Sequence, residues 1–254
     1  MTRTLFPWPG GKRRLAKRLI AMLPEHTCYV EAFAGGGAVL FHKQPSEVEV
    51  LNDINGELVN LYRVVQHHLD EFVRQFRFAL VSRQLFEWAK MAVPETLTDV
   101  QRAARWFYLQ QNAFGGKATG QTFGYSPTVA PRLNLLRVEE DLSAAHLRLA
   151  RVVVEHLGWE ACVERYDRPG TVFLLDPPYW QVEGYGVPFE AAQYRLLARV
   201  MGRLKGRAIL TINDHPDMRQ AFRRFPFEEA QVTYTLAGGR GAKRATELVY
   251  RTWE

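Results

Sequence analysis

The sequence predicts an α/β fold, a mostly parallel sheet with helices on both faces. Three observations predict it. Short apolar runs rich in β-branched residues alternate with stretches of helical periodicity toward both ends of the chain, the pattern of parallel strands joined by helical crossovers. One of those runs, 27–33, passes straight into a glycine turn that opens a helix. Another, 171–175, ends at Asp176-Pro177-Pro178-Tyr179-Trp180, where two prolines stop the strand and leave a carboxylate and aromatic rings at its carboxyl end. In open α/β sheets that edge forms the ligand crevice.

A chain of 254 residues can bury a large core and reads as one domain, or one domain with an insertion. Its hydrophobic content of 47% and charged content of 24% are those of an ordinary soluble protein. The net charge of +6 permits a polyanionic partner without requiring one. Cys28 and Cys162 both sit in apolar segments, which argues against a disulfide framework or a cysteine metal site and for a reducing compartment. The histidines lack zinc spacing, so no metal is expected. The opening residues lack the apolar core of a signal peptide, and no apolar run approaches the ~18 residues of a membrane span. A cytoplasmic location without membrane contact is the expectation.

In order along the chain, Trp8-Pro9-Gly10-Gly11-Lys12 precedes a helix face marked by Leu15, Leu19, Ile20 and Leu23. Two readings stand level. The glycines let the backbone approach a carboxylate or phosphate in the positive field of a helix start and Lys12, or the segment is a flexible turn with a solvated lysine. The strand at 27–33 then enters Ala34-Gly35-Gly36-Gly37, a turn of nucleotide-site type that lacks the third glycine of the dinucleotide fingerprint. A second strand, 48–52, ends at Asp53, 22 residues beyond Glu31, the spacing at which an acid meets a ribose hydroxyl pair. Glycine turn and acid together point to an adenosine-containing ligand.

Residues 56–150 change to helical patterns. Leu58, Leu61, Tyr62, Val65, Leu69, Phe72, Val73 and Phe76 recur at helical spacing, and a second helix is expected over 100–112. The glycine-rich stretch 114–127 has neither period and reads as an exposed loop or hairpin. Arg102, Arg105, Lys117, Arg132, Arg137, Arg148 and Arg151 surround it, either as a surface for phosphate backbone or as a solvated basic face. The sheet resumes at 151–155, 171–176 and, after a helix near 189–204, at 207–213. Strands at 229–236 and 246–253 close the chain as a pair, joined by a basic loop that carries Arg240, Lys243 and Arg244.

Taken in chain order, Pro9-Gly10-Gly11-Lys12, Phe33-Ala34-Gly35-Gly36-Gly37, Asp53 and Asp176-Pro177-Pro178-Tyr179 resemble the Dam-like DNA adenine N6-methyltransferases. The likeness runs through essentially the whole chain, down to Thr246-Glu247-Leu248-Val249-Tyr250. It implies a Rossmann-like, seven-stranded methyltransferase sheet with an antiparallel C-terminal strand. It divides the chain into an S-adenosylmethionine-binding catalytic domain, 1–55 and 151–254, and a helical target-recognition insertion, 56–150. The implied activity is transfer of methyl from S-adenosylmethionine to the exocyclic amine of an adenine flipped out of double-stranded DNA. A restriction-modification system or a phage would be the setting, and a monomer without an obligate protein partner the form.

The chemistry fits the residues. An exocyclic amine on a purine has its lone pair drawn into the ring, so it needs acceptors that pull its hydrogens and turn the lone pair outward. By resemblance, Asp176 and the carbonyl of Pro177 are those acceptors. Pro178 stiffens the turn, Tyr179 stacks on the extruded base, and Trp180 stays undecided. Trp8, Gly11 and Lys12 border the methionine end of the cofactor, which also reaches Asp176. Phe33, Gly35 and Gly37 form its turn, Asp53 takes its ribose and Trp159 walls its adenine. Arg105, Asn112, Lys117, Arg132, Arg240, Lys243 and Arg244 are the expected DNA contacts. Ala32 stands where the family often has proline, Gly158 where a polar residue is expected, and the insertion is short around 115–125, which leaves the target sequence open. Two other readings remain: a catalytically silent, sequence-specific DNA-binding protein on the same fold, and an amino-methyltransferase acting on RNA. A nicotinamide oxidoreductase is opposed by the missing third glycine.

Overall fold

The computed structural model describes residues 4–182, 186, 188–235 and 242–254. Seven strands form one sheet: β1 (Cys28–Glu31), β2 (Val48–Asn52), β3 (Val152–Glu155), β4 (Thr171–Leu175), β5 (Arg207–Asn213), β6 (Phe227–Thr235) and β7 (Ala242–Arg251). Their order is β3-β2-β1-β4-β5-β7-β6. Every pairing is parallel except those of β7, which runs antiparallel to both β5 and β6. From β1 the chain moves outward through β2 to β3, and from β4 it moves outward the other way. The carboxyl ends of β1 and β4, paired with Glu31 opposite Leu174, therefore flank the point where the winding reverses. That is where an open α/β sheet makes its crevice.

β4 is buried at every position, as a central strand covered on both faces must be. One face of the sheet packs α1 (Ala16–Met22), α2 (Ala38–His42) and the helices that follow β2: α3 (Gly56–His67), α4 (Leu69–Arg74), α5 (Arg83–Met91), α6 (Asp99–Asn112) and α7 (Val138–Leu149). Leu58, Phe72, Phe86, Trp106 and Leu142 from these helices share a single apolar cluster with Leu19, Leu40, Leu51 and Leu174. The segment 56–150 is thus continuous with the sheet's own core. The other face packs α8 (Trp159–Tyr166), α9 (Ala191–Met201) and α10 (Pro216–Ala221) around Phe173, Tyr194 and Phe222.

Local chemistry sets the helix limits. Asn55 accepts from the backbone N–H groups of Glu57 and Leu58 to start α3, and Thr98 and Gln101 form a capping box at α6, each cap contributing about 1 kcal/mol. The apolar series from Leu58 to Phe76 is not one helix: His68, at φ −133°, ends α3 and precedes α4. The expected basic loop between the last strands is also shorter, because Ala242, Lys243 and Arg244 already belong to β7 by backbone pairing.

Candidate active site

A cavity of about 460 Å³ opens at the winding reversal, between the carboxyl ends of β1, β2 and β4 and the start of α8. Pockets of this size and apolar character are those that take small ligands. The glycine turn forms its floor. Gly35 adopts φ +47° and lies against the Trp8 indole, so a Cβ there would meet Trp8 Nε1 at 2.5 Å. Its carbonyl accepts from the Tyr62 hydroxyl at 2.7 Å, and its N–H donates to Asp53 Oδ2 at 2.9 Å. Gly35→Ala is expected to cost about 1–3 kcal/mol of stability and to weaken binding in the cavity. An unchanged urea midpoint would contradict this.

Asp53 holds two backbone segments together: Oδ2 takes the Gly35 N–H and Oδ1 the Asn55 N–H, each at 2.9 Å. Burial raises its carboxyl pKa, and those N–H groups oppose the shift. Across the cavity Phe33 stacks on Trp159 with ring centroids 6.1 Å apart, and Phe189 closes edge-on to Phe33 at 5.7 Å. Trp159 is oriented by its indole N–H, which donates to Gln193 Oε1 at 2.9 Å. The Cβ position of Gly158 faces open space.

At the end of β4, Asp176 projects toward the cavity with its side chain 21% exposed. Lys12 Nζ at 2.8 Å and the Thr211 hydroxyl at 2.7 Å both engage Oδ1. Burial raises the Asp176 pKa, Lys12 and Thr211 pull it back, and Glu247 adds to the rise. Lys12 also donates to the Gly10 carbonyl at 2.7 Å. It is buried against a carboxylate, which fits neither a solvated lysine nor one turned toward an outside anion. The turn beyond Asp176 is braced on several sides. Tyr194 donates its hydroxyl to the Pro178 carbonyl, Val182 N–H reaches the Tyr179 carbonyl, and Asn213 accepts from the Trp180 N–H and donates to its carbonyl. Among the described residues no donor reaches the Pro177 carbonyl.

Trp8, Gly11, Lys12, Phe33, Gly35, Asp53, Trp159, Asp176 and Pro178 line the cavity. Gly37, Pro177 and Tyr179 stand outside its lining. Gly37, at φ +60°, caps α2 against Phe41 and Tyr62. Tyr179 is buried; its hydroxyl donates to Glu247 Oε2 and Lys12 lies 4.5 Å over its ring. Trp180 rests edge-on against Tyr194 and donates its indole N–H to Asp217.

Among the expected DNA contacts, Lys117 and Arg132 are exposed, and Arg132 edges a second groove beside Arg13. One expectation is corrected: Asn112 is buried and donates to the Tyr108 carbonyl within α6. Arg105 is half-buried and donates to the Ala89 and Lys90 carbonyls at the end of α5, carbonyls that a helix leaves without intrahelical partners. Arg102 pairs with Glu57, and Arg148 is buried on Glu49, so neither belongs to an open basic face. Arg240 lies outside the described residues, as do the side chains of Lys243 and Arg244.

Sequence reasoning missed Glu31, Phe189, Gln193, Thr211 and Glu247. Glu31 lines the cavity and is 3% exposed. Burial pushes its carboxyl up to about 7, against the Leu40 N–H and Tyr29 hydroxyl that favour its charge. The available signal was its place: a carboxylate at the carboxyl end of a central strand, as with Asp176. Among the described residues no cluster could hold a metal ion, and no helix is long and apolar enough to cross a membrane.

The family model described as D12 class N6 adenine-specific DNA methyltransferase matches residues 8–229. The chain is similar to a DNA N-6-adenine-methyltransferase of Escherichia phage P1, 26% identical over 239 residues, covering 87% of this chain and 31% of that protein. It is similar to the Type II methyltransferase M.CviBI of Paramecium bursaria Chlorella virus NC1A, 24% identical over 233 residues and 89% of each chain. The DNA adenine methylase of Escherichia coli strain K12 is 29% identical over 118 residues, 45% of this chain and 42% of that one. The chain therefore spans about a third of the length of the phage relative and nearly all of the chlorella-virus one.

Proposed function

The chain belongs to the D12 class of N6 adenine-specific DNA methyltransferases, and on that premise we propose that it transfers a methyl group from S-adenosylmethionine to the exocyclic amine of an adenine in double-stranded DNA. The observation that carries this reading is the meeting of Asp176 with the glycine turn in one cavity. An acceptor for an amine and a cradle for a nucleoside-like ligand share a wall.

The residues present suit the cofactor. Phe33 and Trp159, stacked on each other, offer an apolar wall for its adenine. Asp53 keeps lone pairs beyond those given to the Gly35 and Asn55 N–H groups and can accept from ribose hydroxyls. Glu31, Asp176 and the Lys12 paired with it put charged and polar groups at one end of the cavity, where the cofactor's methionine part would sit. Bound there, S-adenosylmethionine supplies a methyl group made electrophilic by its sulfonium.

The chain's own work is to hold the amine. Asp176 accepts one amine hydrogen and the Pro177 carbonyl the other, which directs the lone pair away from the purine ring. The braces from Tyr194 and Asn213 keep these acceptors in place before substrate arrives. An amine paired within a duplex cannot reach them, so the base is extruded, with Tyr179 at the foot of the site. Segment 56–150 serves as the target-recognition part, with Lys117 and Arg132 toward the phosphates.

The test is mass spectrometry of nucleosides from unmethylated duplex DNA after incubation with the protein and S-adenosylmethionine. N6-methyladenine is expected. Methylated RNA without methylated DNA would replace the proposed substrate, and cofactor binding without any product would favour a silent DNA-binding protein.

A further inference from the structure

Lys12, Asp176, Tyr179 and Glu247 form one buried cluster behind the cavity. Lys12 Nζ lies 2.8 Å from Asp176 Oδ1, 3.9 Å from Glu247 Oε2 and 4.5 Å above the centre of the Tyr179 ring. The Tyr179 hydroxyl donates to the same Glu247 oxygen. One cation thus faces two carboxylates. Glu247 reaches the turn after β4 at Asp176 through Lys12 and at Tyr179 directly, from a strand distant in the sequence. It sits in β7 directly before Leu248, Val249 and Tyr250, all buried, and is itself 2% exposed. A buried carboxylate is costly to desolvate, so its retention at a strand position bordered by apolar residues asks for a cause.

We infer that Glu247 is a positioning residue for methyl transfer, acting through Lys12 and Tyr179. This rests on the proposed function. Lys12 and Thr211 both engage Asp176 Oδ1, which among the described residues leaves Oδ2 as the acceptor for an incoming amine. Glu247, 3.9 Å from the same ammonium, sets where Lys12 sits and so how the Asp176 carboxylate is aimed. The hydrogen bond from Tyr179 to Glu247 holds the Glu247 carboxylate in place. Glu247 itself need not touch substrate or cofactor.

Two substitutions separate the charge from the hydrogen bond. Glu247→Gln keeps an oxygen for the Tyr179 hydroxyl and removes the charge; Tyr179→Phe removes the hydroxyl and keeps the charge. The measurements are the single-turnover methylation rate on unmethylated plasmid DNA and S-adenosylmethionine affinity by calorimetry, on the full chain. Glu247→Gln is expected to slow the rate about tenfold or more while affinity changes less than about twofold, with a smaller loss for Tyr179→Phe. Glu247→Asp, which keeps the charge, is expected to retain more rate than Glu247→Gln. An undiminished rate in Glu247→Gln, a loss of rate matched by a loss of affinity, or Glu247→Asp slower than Glu247→Gln overturns the inference alone. A wild-type protein that makes no N6-methyladenine overturns the functional reading, and this one with it.

Discussion

Replacing Asp176 with alanine is expected to slow methyl transfer about 10²–10³-fold while S-adenosylmethionine affinity stays within about threefold of wild type. The asymmetry follows from what Asp176 touches. The aromatic pair of Phe33 and Trp159 and the turn held by Asp53 are built without it. Removal leaves Lys12 facing Glu247, so no lone cation is stranded and the site can keep its shape. Asp176→Asn separates acceptor from charge: one oxygen remains for Thr211, but an amide N–H now points where the amine hydrogen must be received. It is expected to be nearly as slow as alanine. Rate and affinity measured on the same preparations decide the matter, and an Asp176→Ala protein within about tenfold of wild-type rate would remove Asp176 from the chemistry.

Glu49→Ala is expected to destabilise the fold by about 3–5 kcal/mol, the largest stability effect among the changes considered. Glu49 joins Lys43 at 2.6 Å and Arg148 at 2.5 Å, and all three side chains are less than a tenth exposed. Arg148 also donates twice to the Leu40 carbonyl of α2, and Lys43 to Gln44 and Ser46. The cluster therefore ties the helix after the glycine turn to β2 and α7. Without Glu49 two buried cations face each other unpaired. Burial alone would raise the Glu49 pKa, but Arg148 and Lys43 outweigh it and hold the pKa below the ordinary glutamate value. A depressed folded-state pKa gives stability that is present above the unfolded value and lost as pH falls through the folded one. The variant should thus differ most from wild type near neutrality and least in strong acid. Urea midpoints at neutral and acidic pH read both effects, and a midpoint unmoved at pH 7 would show the cluster to be dispensable.

What could be read from the sequence was what short-range pattern encodes. The apolar run into Asp176, the glycines after β1 and the acid after β2 lie within a strand's length of the features that interpret them, and all three lead to the one cavity. Glu31 carried the same signal as Asp176 but was read only as a spacing marker. Beyond that range the sequence is silent. The pairing of Lys12 with Asp176 and Glu247 joins residues from opposite ends of the chain, and no periodicity encodes it. Asn112 was misread for another reason: polar residues on an amphipathic helix read as surface, yet Asn112 is buried and turns back to the Tyr108 carbonyl of its own helix.

The antiparallel β7 lies between β5 and β6, although it follows both in the chain. A polypeptide emerging from the ribosome must therefore hold a gap open: β5 shows an unpaired edge and β6 has no neighbour in the sheet until residues 242–251 are released. Exposed edges of this kind invite wrong pairing. Because the same strand carries Glu247, the late insertion that closes the gap between β5 and β6 also brings the last carboxylate to Lys12 and Tyr179. The protein gains its finished site in the same step that completes its sheet.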